Sequence, residues 1–309
     1  MNLLIIGNGF DLDLGRKTRY SDFRSSRFWP FNSLDHNGLG YYIENFAKSN
    51  SNWFDIEELL RAYGDVNGNE HKKTESSLRP ISLKQDQLDF LFLNKRMSKY
   101  IESINLTSIN TDSAAARILN AVLRNGKYNI YSFNYSSLKD IARLTGFKHH
   151  FEHEHIHGLA ANKSAILGVD DETELREGYD FLYKTFSRHY KSHPIQYDLL
   201  DAEDIIFFGL SLGRIDYPYF QDFFRLLCES SNKFRENARK VTFITYDDNS
   251  RRQILRQLRE MNHRRTNYLF GLNNVDFICT SAGEPKINMR KIDSLINYLI
   301  DTQSEMMNR

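Results

Sequence analysis

The 309-residue chain is poor in cysteine and proline and almost without net charge, and each shortage closes off a class of function. Cys228 and Cys279 stand alone, without CxxC partners, so neither a disulfide framework nor a zinc ribbon is available. Both read as small buried hydrophobes. Lys and Arg total 41 against 40 Asp and Glu, a formal charge of +1, so no global field draws nucleic acid or a membrane surface. Long apolar runs are missing too. The N-terminal Leu3-Leu4-Ile5-Ile6 is too short for a signal-peptide core or a membrane span, and the expectation is a cytoplasmic protein. With no Pro- or Gly-rich linker, the chain reads as one α/β domain over 1–309.

What is present is a repeated strand, turn and helix pattern. Leu3 to Ile6 runs into Gly7-Asn8-Gly9-Phe10, and Asp11 then opens a helix as its cap. Glycines there permit tight turning and close ligand approach, and a helix N-terminus favours an anion. A full dinucleotide fingerprint would place a third glycine at position 12, which is Leu12, and an acidic residue about twenty positions on. An ordinary nicotinamide dehydrogenase is therefore disfavoured. Tyr128–Phe133 repeats the pattern, with Asn134 at its end and Ser136 or Ser137 as cap. FEHEHIHG is a short strand ending in His157-Gly158, SAILGVDD a further strand-like run, and Tyr179 to Tyr190 a helix carrying Lys184, Arg188 and His189. DIIFFGLSLG, KVTFITYDD and VDFIC supply more strands, separated by helices. Residues 40–125 show helical periodicity throughout and read as an α-helical insertion, with Asp55 and Glu58 forming a capping box. The expected fold is Rossmann-like, a largely parallel sheet with helices on both faces.

Three constellations compete for the chemistry. His153, His155 and His157 would share one face of a strand, but no H-E-x-x-H occurs and no carboxylate partners are signposted, so no metal is expected. Gly209-Leu210-Ser211-Leu212-Gly213 has the form of a nucleophile elbow, and Asp247 with His263 could complete a serine hydrolase. Too few strands follow the serine for that fold. The third reading takes the strand ends together. Gly7, Asn8, Gly9, Phe10, Asp11, Asn134, His157, Gly209, Ser211 and Leu212 would converge on the crevice at the carboxyl edge of a parallel sheet, with parts for binding and cleaving a nucleotide. Lys184 and Arg188 could add phosphate contacts, although a solvated helix face explains them equally well.

IIGNGFDLDLGRKTRYSDF, NWFDIEELL, YSFNYSS, HIHG, ILGV and FFGLSLGRIDYPYF together closely resemble the abortive-infection AbiH family of bacteria, over nearly the whole chain. The resemblance implies a role in defence against bacteriophage without a settled activity. A more distant likeness is to sirtuins and sirtuin-like NAD-consuming domains, which carry in this order a G-x-G turn, an Asn after a strand, a His-Gly and a Gly-x-Ser-Leu turn. It implies that Asn134 positions water or the ribose and that His157 withdraws a proton as the N-glycosidic bond breaks. Asp11 would then stabilise an oxocarbenium-like transition state. The chain departs from that series in having Asp11 after the glycine turn and Ser136 two positions past the Asn, and it lacks the zinc module. Protein deacylation is thus not expected. The leading expectation is an anti-phage effector that hydrolyses NAD or a related nucleotide as substrate, with no prosthetic group. The alternatives are the Ser211 hydrolase and a non-catalytic nucleotide sensor that regulates a partner. A second copy of the chain or a defence-system partner protein remains open.

Overall fold

The computed structural model describes residues 1–32, 38–50, 55–66, 82–105, 107–229, 238–281 and 285–307. In chain order it places β1 (Asn2–Ile6), α1 (Asn8–Asp13), α2 (Tyr20–Arg24), α3 (Leu39–Ser49), α4 (Ile56–Gly64), α5 (Leu83–Asn105) and α6 (Ala114–Asn125). There follow β2 (Tyr128–Ser132), α7 (Leu138–Leu144), β3 (His153–His155), α8 (Ile195–Asp201), β4 (Asp204–Phe208) and α9 (Tyr217–Leu226). The last elements are β5 (Lys240–Thr245), α10 (Asp248–Met261), α11 (Thr266–Leu272), β6 (Asn274–Cys279) and α12 (Pro285–Met307). The chain divides into two compact units, one of residues 1–16, 107–156 and 192–309, the other of residues 17–106 and 157–191.

The first unit is built on six parallel strands in the order β3-β2-β1-β4-β5-β6. A sheet covered on both faces needs strands apolar on both sides, which is why β1 and β4 read as unbroken apolar runs rather than alternating ones. Leu3 and Ile5 enter a core with Phe207, Phe220, Phe224 and Phe243, while Leu4 and Ile6 enter another with Ile118, Leu119, Val122 and Leu299. On the first face Phe207, Phe243 and Phe277 stand opposite one another in register and stack at ring separations of 5.0 and 4.9 Å. Local sequence sets the helix ends. Ser113 caps α6, which stops at Gly126 in the left-handed conformation (φ +71°), Ser137 caps α7, and Asp247 caps α10. This strand order reverses direction between β1 and β4, and in doubly wound sheets ligands bind beyond the strand ends at that reversal.

The second unit holds α2 to α5 and the 157–191 segment. Buried Asp86 gathers its core, accepting hydrogen bonds from Leu39 N (2.8 Å), Tyr63 Oη (2.9 Å) and Tyr179 Oη (2.6 Å). Buried Glu44 likewise accepts Trp29 Nε1 at 2.7 Å.

Four local expectations are corrected. Residues 179–190 form two three-residue 3-10 turns, Asp180–Leu182 and Lys184–Phe186, instead of a helix. Ala165, Ile166, Leu167 and Val169 are buried, but their only ladder contact among the described residues is the single bridge of Val169 to Tyr183. Their hydrophobicity reflects burial in a loop, not a strand. β3 ends at His155, leaving His157 beyond it. Asp11 lies inside the first turn of α1, whose cap position is Gly7. Residues 40–125 divide between the two units, with α3, α4 and α5 in the second and α6 in the first. Asn52 to Phe54 of the NWFDIEELL segment lie outside the described residues.

Candidate functional site

At the carboxyl edge of the sheet the two glycine turns press together. Gly7 N donates to Phe208 O (2.9 Å), extending the β1 to β4 ladder by one step, and Gly9 N donates to Gly209 O (2.8 Å). A Cβ on Gly9 would stand 2.6 Å from Gly209 Cα, and one on Gly7 2.5 Å from Leu210 Cα. Gly209 itself has φ +63°. Phe10 N donates back to Gly7 O at 2.9 Å, and the Phe10 ring packs edge-on against Phe208. The glycines thus bring two backbones into contact, and the N–H groups of Gly7, Gly9 and Phe10 are spent on carbonyls.

Beside this contact lies a buried polar cluster. Asp11, 1% exposed, accepts a hydrogen bond from Ser136 Oγ and faces the Arg16 guanidinium at 3.7 Å. Burial pushes the Asp11 carboxyl above its ordinary range, against the pull of Arg16, Ser136 and Asn134. Burial also presses Arg16 downward, with Asp11 and Asp140 opposing. Asp11 Oδ1 is buried without a hydrogen bond. Asn134 joins three strand ends. Its side-chain Nδ2 donates to Gly7 O (3.0 Å), its backbone N donates to Ser132 Oγ (3.2 Å), and its backbone carbonyl accepts from His155 Nδ1 (3.1 Å). A carbonyl only accepts, so Nδ1 of His155 carries the proton and Nε2 is left with a lone pair. That Nε2 is buried and has no hydrogen-bond partner. Burial, joined by His153 and His193, lowers His155 to about 4 against the opposing hydrogen bond to Asn134, so the ring is neutral at physiological pH.

The GLSLG segment is a turn of a different kind from a nucleophile elbow. Ser211 is exposed, the left-handed strain falls on Leu212 (φ +52°), and a 3-10 turn (Arg214–Asp216) intervenes before α9. Asp247 is occupied in capping, accepting Ser250 N (2.8 Å) and Oγ (2.7 Å), bonds that hold its carboxyl below the ordinary range. His263 follows α10, whose 14 residues span about 21 Å, so carboxylate and imidazole sit at opposite ends of one helix. The three residues do not form a triad.

His157 and Lys184 belong to the second unit and meet there. Lys184 is 5% exposed, pairs with Glu57 Oε1 at 3.1 Å and lies 3.4 Å from His157 Nε2. An ammonium can only donate, so His157 Nε2 accepts from it. Lys184 is therefore a buried ion-pair partner, not part of a solvated helix face. Asp55 caps α4 through the N–H groups of Glu57 (2.9 Å) and Glu58 (3.4 Å), while Glu58 turns to Arg61 instead of closing a box. Burial and neighbouring Glu57 push Asp55 up to about 6, with the cap bonds and Lys184 opposing. Burial raises Asp170 as well, with Lys184 again opposing. His149 and His150 are exposed, and His153 packs on Phe151. Among the described residues no group of three His, Cys, Asp or Glu side chains is arranged to hold a metal ion.

Sequence reasoning weighed His155 only among three histidines on one strand face and passed over Arg16. Nothing local marks Arg16, whose importance comes from folding back over its own helix.

Sheet order and strand-end residues define a Rossmann-like α/β protein with a polar cluster beside its topological reversal. Within that class the chain belongs to the bacteriophage abortive infection AbiH family, whose model matches residues 3–235. The match spans β1 to α9 and includes Gly7 to Asp11, Asn134, His155, His157, Lys184 and Gly209 to Leu212. Membership implies a role in abortive infection of phage-infected bacteria. Comparison with curated proteins returned no match. No helix among the described residues is long and apolar enough to cross a membrane.

Proposed function

We propose that the chain is an abortive-infection effector that binds a nucleotide at the carboxyl edge of its parallel sheet and hydrolyses the N-glycosidic bond, with NAD or a close relative as substrate. One observation carries this reading. Asp11, Ser136, Asn134 and His155 are gathered at the ends of β1, β2 and β3, beside the β1 to β4 reversal where doubly wound sheets take nucleotides. The cluster suits the chemistry in a particular way. Loss of a nitrogen base from ribose builds positive charge on the sugar, and a desolvated carboxylate stabilises that charge more than a solvated one would. Asp11 fits that part. Because the turn glycines spend their N–H groups on each other's backbone, the phosphates need contacts other than Gly7, Gly9 and Phe10. The sirtuin-like series gives the proton-withdrawing role to His157, whose Nε2 accepts from Lys184.

The direct experiment is incubation of purified full-length protein, with and without lysate of phage-infected cells, with NAD, NADP and ATP, followed by chromatography. Release of nicotinamide and ADP-ribose is expected, and Asp11→Asn should slow it about a hundredfold. All three nucleotides surviving in both conditions would refute hydrolysis. Saturable NAD binding without turnover would establish the sensor reading in its place.

A further inference from the structure

The geometry points to His155 as the proton acceptor of the sheet unit, taking a proton at Nε2 from the water that attacks the ribosyl carbon, with Asn134 as the residue that positions it. This rests on the nucleotide reading and sharpens it by moving the base from His157, where the sirtuin-like series puts it and where Nε2 already accepts from Lys184, to His155. Three observations support it. The hydrogen bond from Nδ1 to Asn134 O fixes ring orientation and tautomer, the arrangement by which working imidazoles are held. Nε2, the nitrogen thereby left as an acceptor, is buried and unsatisfied, as is Oδ1 of Asp11 in the same cluster, and buried polar atoms of folded proteins are ordinarily paired. His155 also ends its strand in register with Ser132 and Ile6, on the last row of the ladder, where the sheet edge meets ligand. His153 and His193 do not compete for the part. His153 pairs with Ile130, back from the strand ends, with its Nδ1 on Phe151 O (3.2 Å), and His193 Nδ1 is engaged by the Glu154 carboxylate.

The step balances. Water oxygen bonds to the anomeric carbon, the carbon–nitrogen bond breaks with its electron pair going to the departing pyridinium nitrogen, and the water proton passes to His155 Nε2. The imidazolium then loses its proton to solvent. No oxidant, metal or second substrate is consumed.

The test combines nitrogen NMR of histidine-labelled full-length protein with kinetics of His155→Gln and Asn134→Ala. The resonances missing from His155→Gln should belong to a ring protonated at Nδ1 and bare at Nε2, unchanged between pH 8 and pH 5, and Nε2 should shift on adding NAD. His155→Gln should cut kcat roughly a hundredfold or more, with KM nearly constant. Asn134→Ala keeps the backbone carbonyl that accepts from Nδ1, so the ring should hold the same tautomer, while loss of the Nδ2 bond to Gly7 O should lower kcat less than His155→Gln does. A proton on Nε2, a titration near the ordinary histidine value, or His155→Gln turning over NAD at the wild-type rate would overturn the assignment. If the wild-type protein leaves NAD intact, the nucleotide reading fails. The spectra then separate the two failures, since a wrong tautomer condemns the base by itself and a correct one places the error in the substrate.

Discussion

A methyl group at Gly9 or Gly209 would meet backbone that has no side-chain freedom with which to yield. The gaps are 2.6 Å to Gly209 Cα in one case and 2.4 Å to the Gly9 carbonyl carbon in the other. Gly9→Ala should therefore lower the unfolding free energy by about 1–3 kcal/mol, the usual range for overpacking, in urea titration. Gly209→Ala should cost more, since φ +63° adds left-handed strain of about 1 kcal/mol. An unchanged urea midpoint in both would return these glycines to a purely ligand-binding role. Lys184 offers the electrostatic counterpart. Lys184→Met strands Glu57, 14% exposed at its side chain, without its cation, and a loss of about 3–5 kcal/mol follows if that carboxylate stays buried and charged. Adding Glu57→Gln should restore most of it, and a double-mutant cycle with no coupling would contradict the buried pair. The sequence supplied Gly7, Asn134 and His157 as residues of interest from order and spacing alone. It could not rank His155 above His157, because the distinction depends on where β3 stops and on a carbonyl 21 residues earlier in the chain.

Helix α4 shows how a cap couples to pH. Asp55 titrates near 3.8 in an unfolded chain and about 6 in the folded one, where burial and Glu57 penalise its charge. Between those values the folded protein holds the extra proton, so stability increases as pH falls from about 6 towards 4, by up to about 3 kcal/mol. Asp55→Asn keeps a good cap and removes the titrating group, so its stability should be flatter over that window. Subtracting the two pH profiles isolates the effect from Asp11, Asp13 and Asp170, which burial raises in the same direction. Parallel profiles would mean that Asp55 is ionised in the folded state at its ordinary pKa. At this scale the sequence was most legible where burial and backbone pairing coincide. β1, β4 and β5 announce themselves as apolar runs, β2 and β6 as shorter stretches of apolar residues interrupted by polar ones, and Asp55, Ser137 and Asp247 as polar residues ahead of amphipathic segments. It misled at 164–171 and 179–190, where apolar residues are buried in a loop held by turns and one bridge. Hydrophobic spacing reports burial, and it becomes secondary structure only when neighbouring backbone is there to pair with.

The order β3-β2-β1-β4-β5-β6 was beyond sequence reasoning, since it depends on which strand each crossover returns to. It has a consequence for the extent of the family match, which stops at residue 235 and leaves β5, β6, α10, α11 and α12 outside. Every candidate site residue lies inside the match, yet the scaffold does not. β4 is buried along its whole length and paired on both sides, and Phe207 stacks on Phe243. Ile244, Ile278 and Leu299 share a core with Leu4 and Ile6, and Asn125 Nδ2 donates to Leu299 O at 2.6 Å. Ending the chain at residue 235 would turn β4 into a long apolar edge strand, the kind that pairs between molecules, and would uncover the core that positions the glycine turn and Asp11. Such a chain is expected to aggregate, or to stay soluble without near-ultraviolet dichroism or a cooperative melt, and to give no protection against phage. A soluble 1–235 fragment that melts cooperatively would show that the matched segment carries its own fold. In this chain the residues beyond 235 supply the second half of the sheet, and a site at the β1 to β4 reversal requires strands on both sides of it.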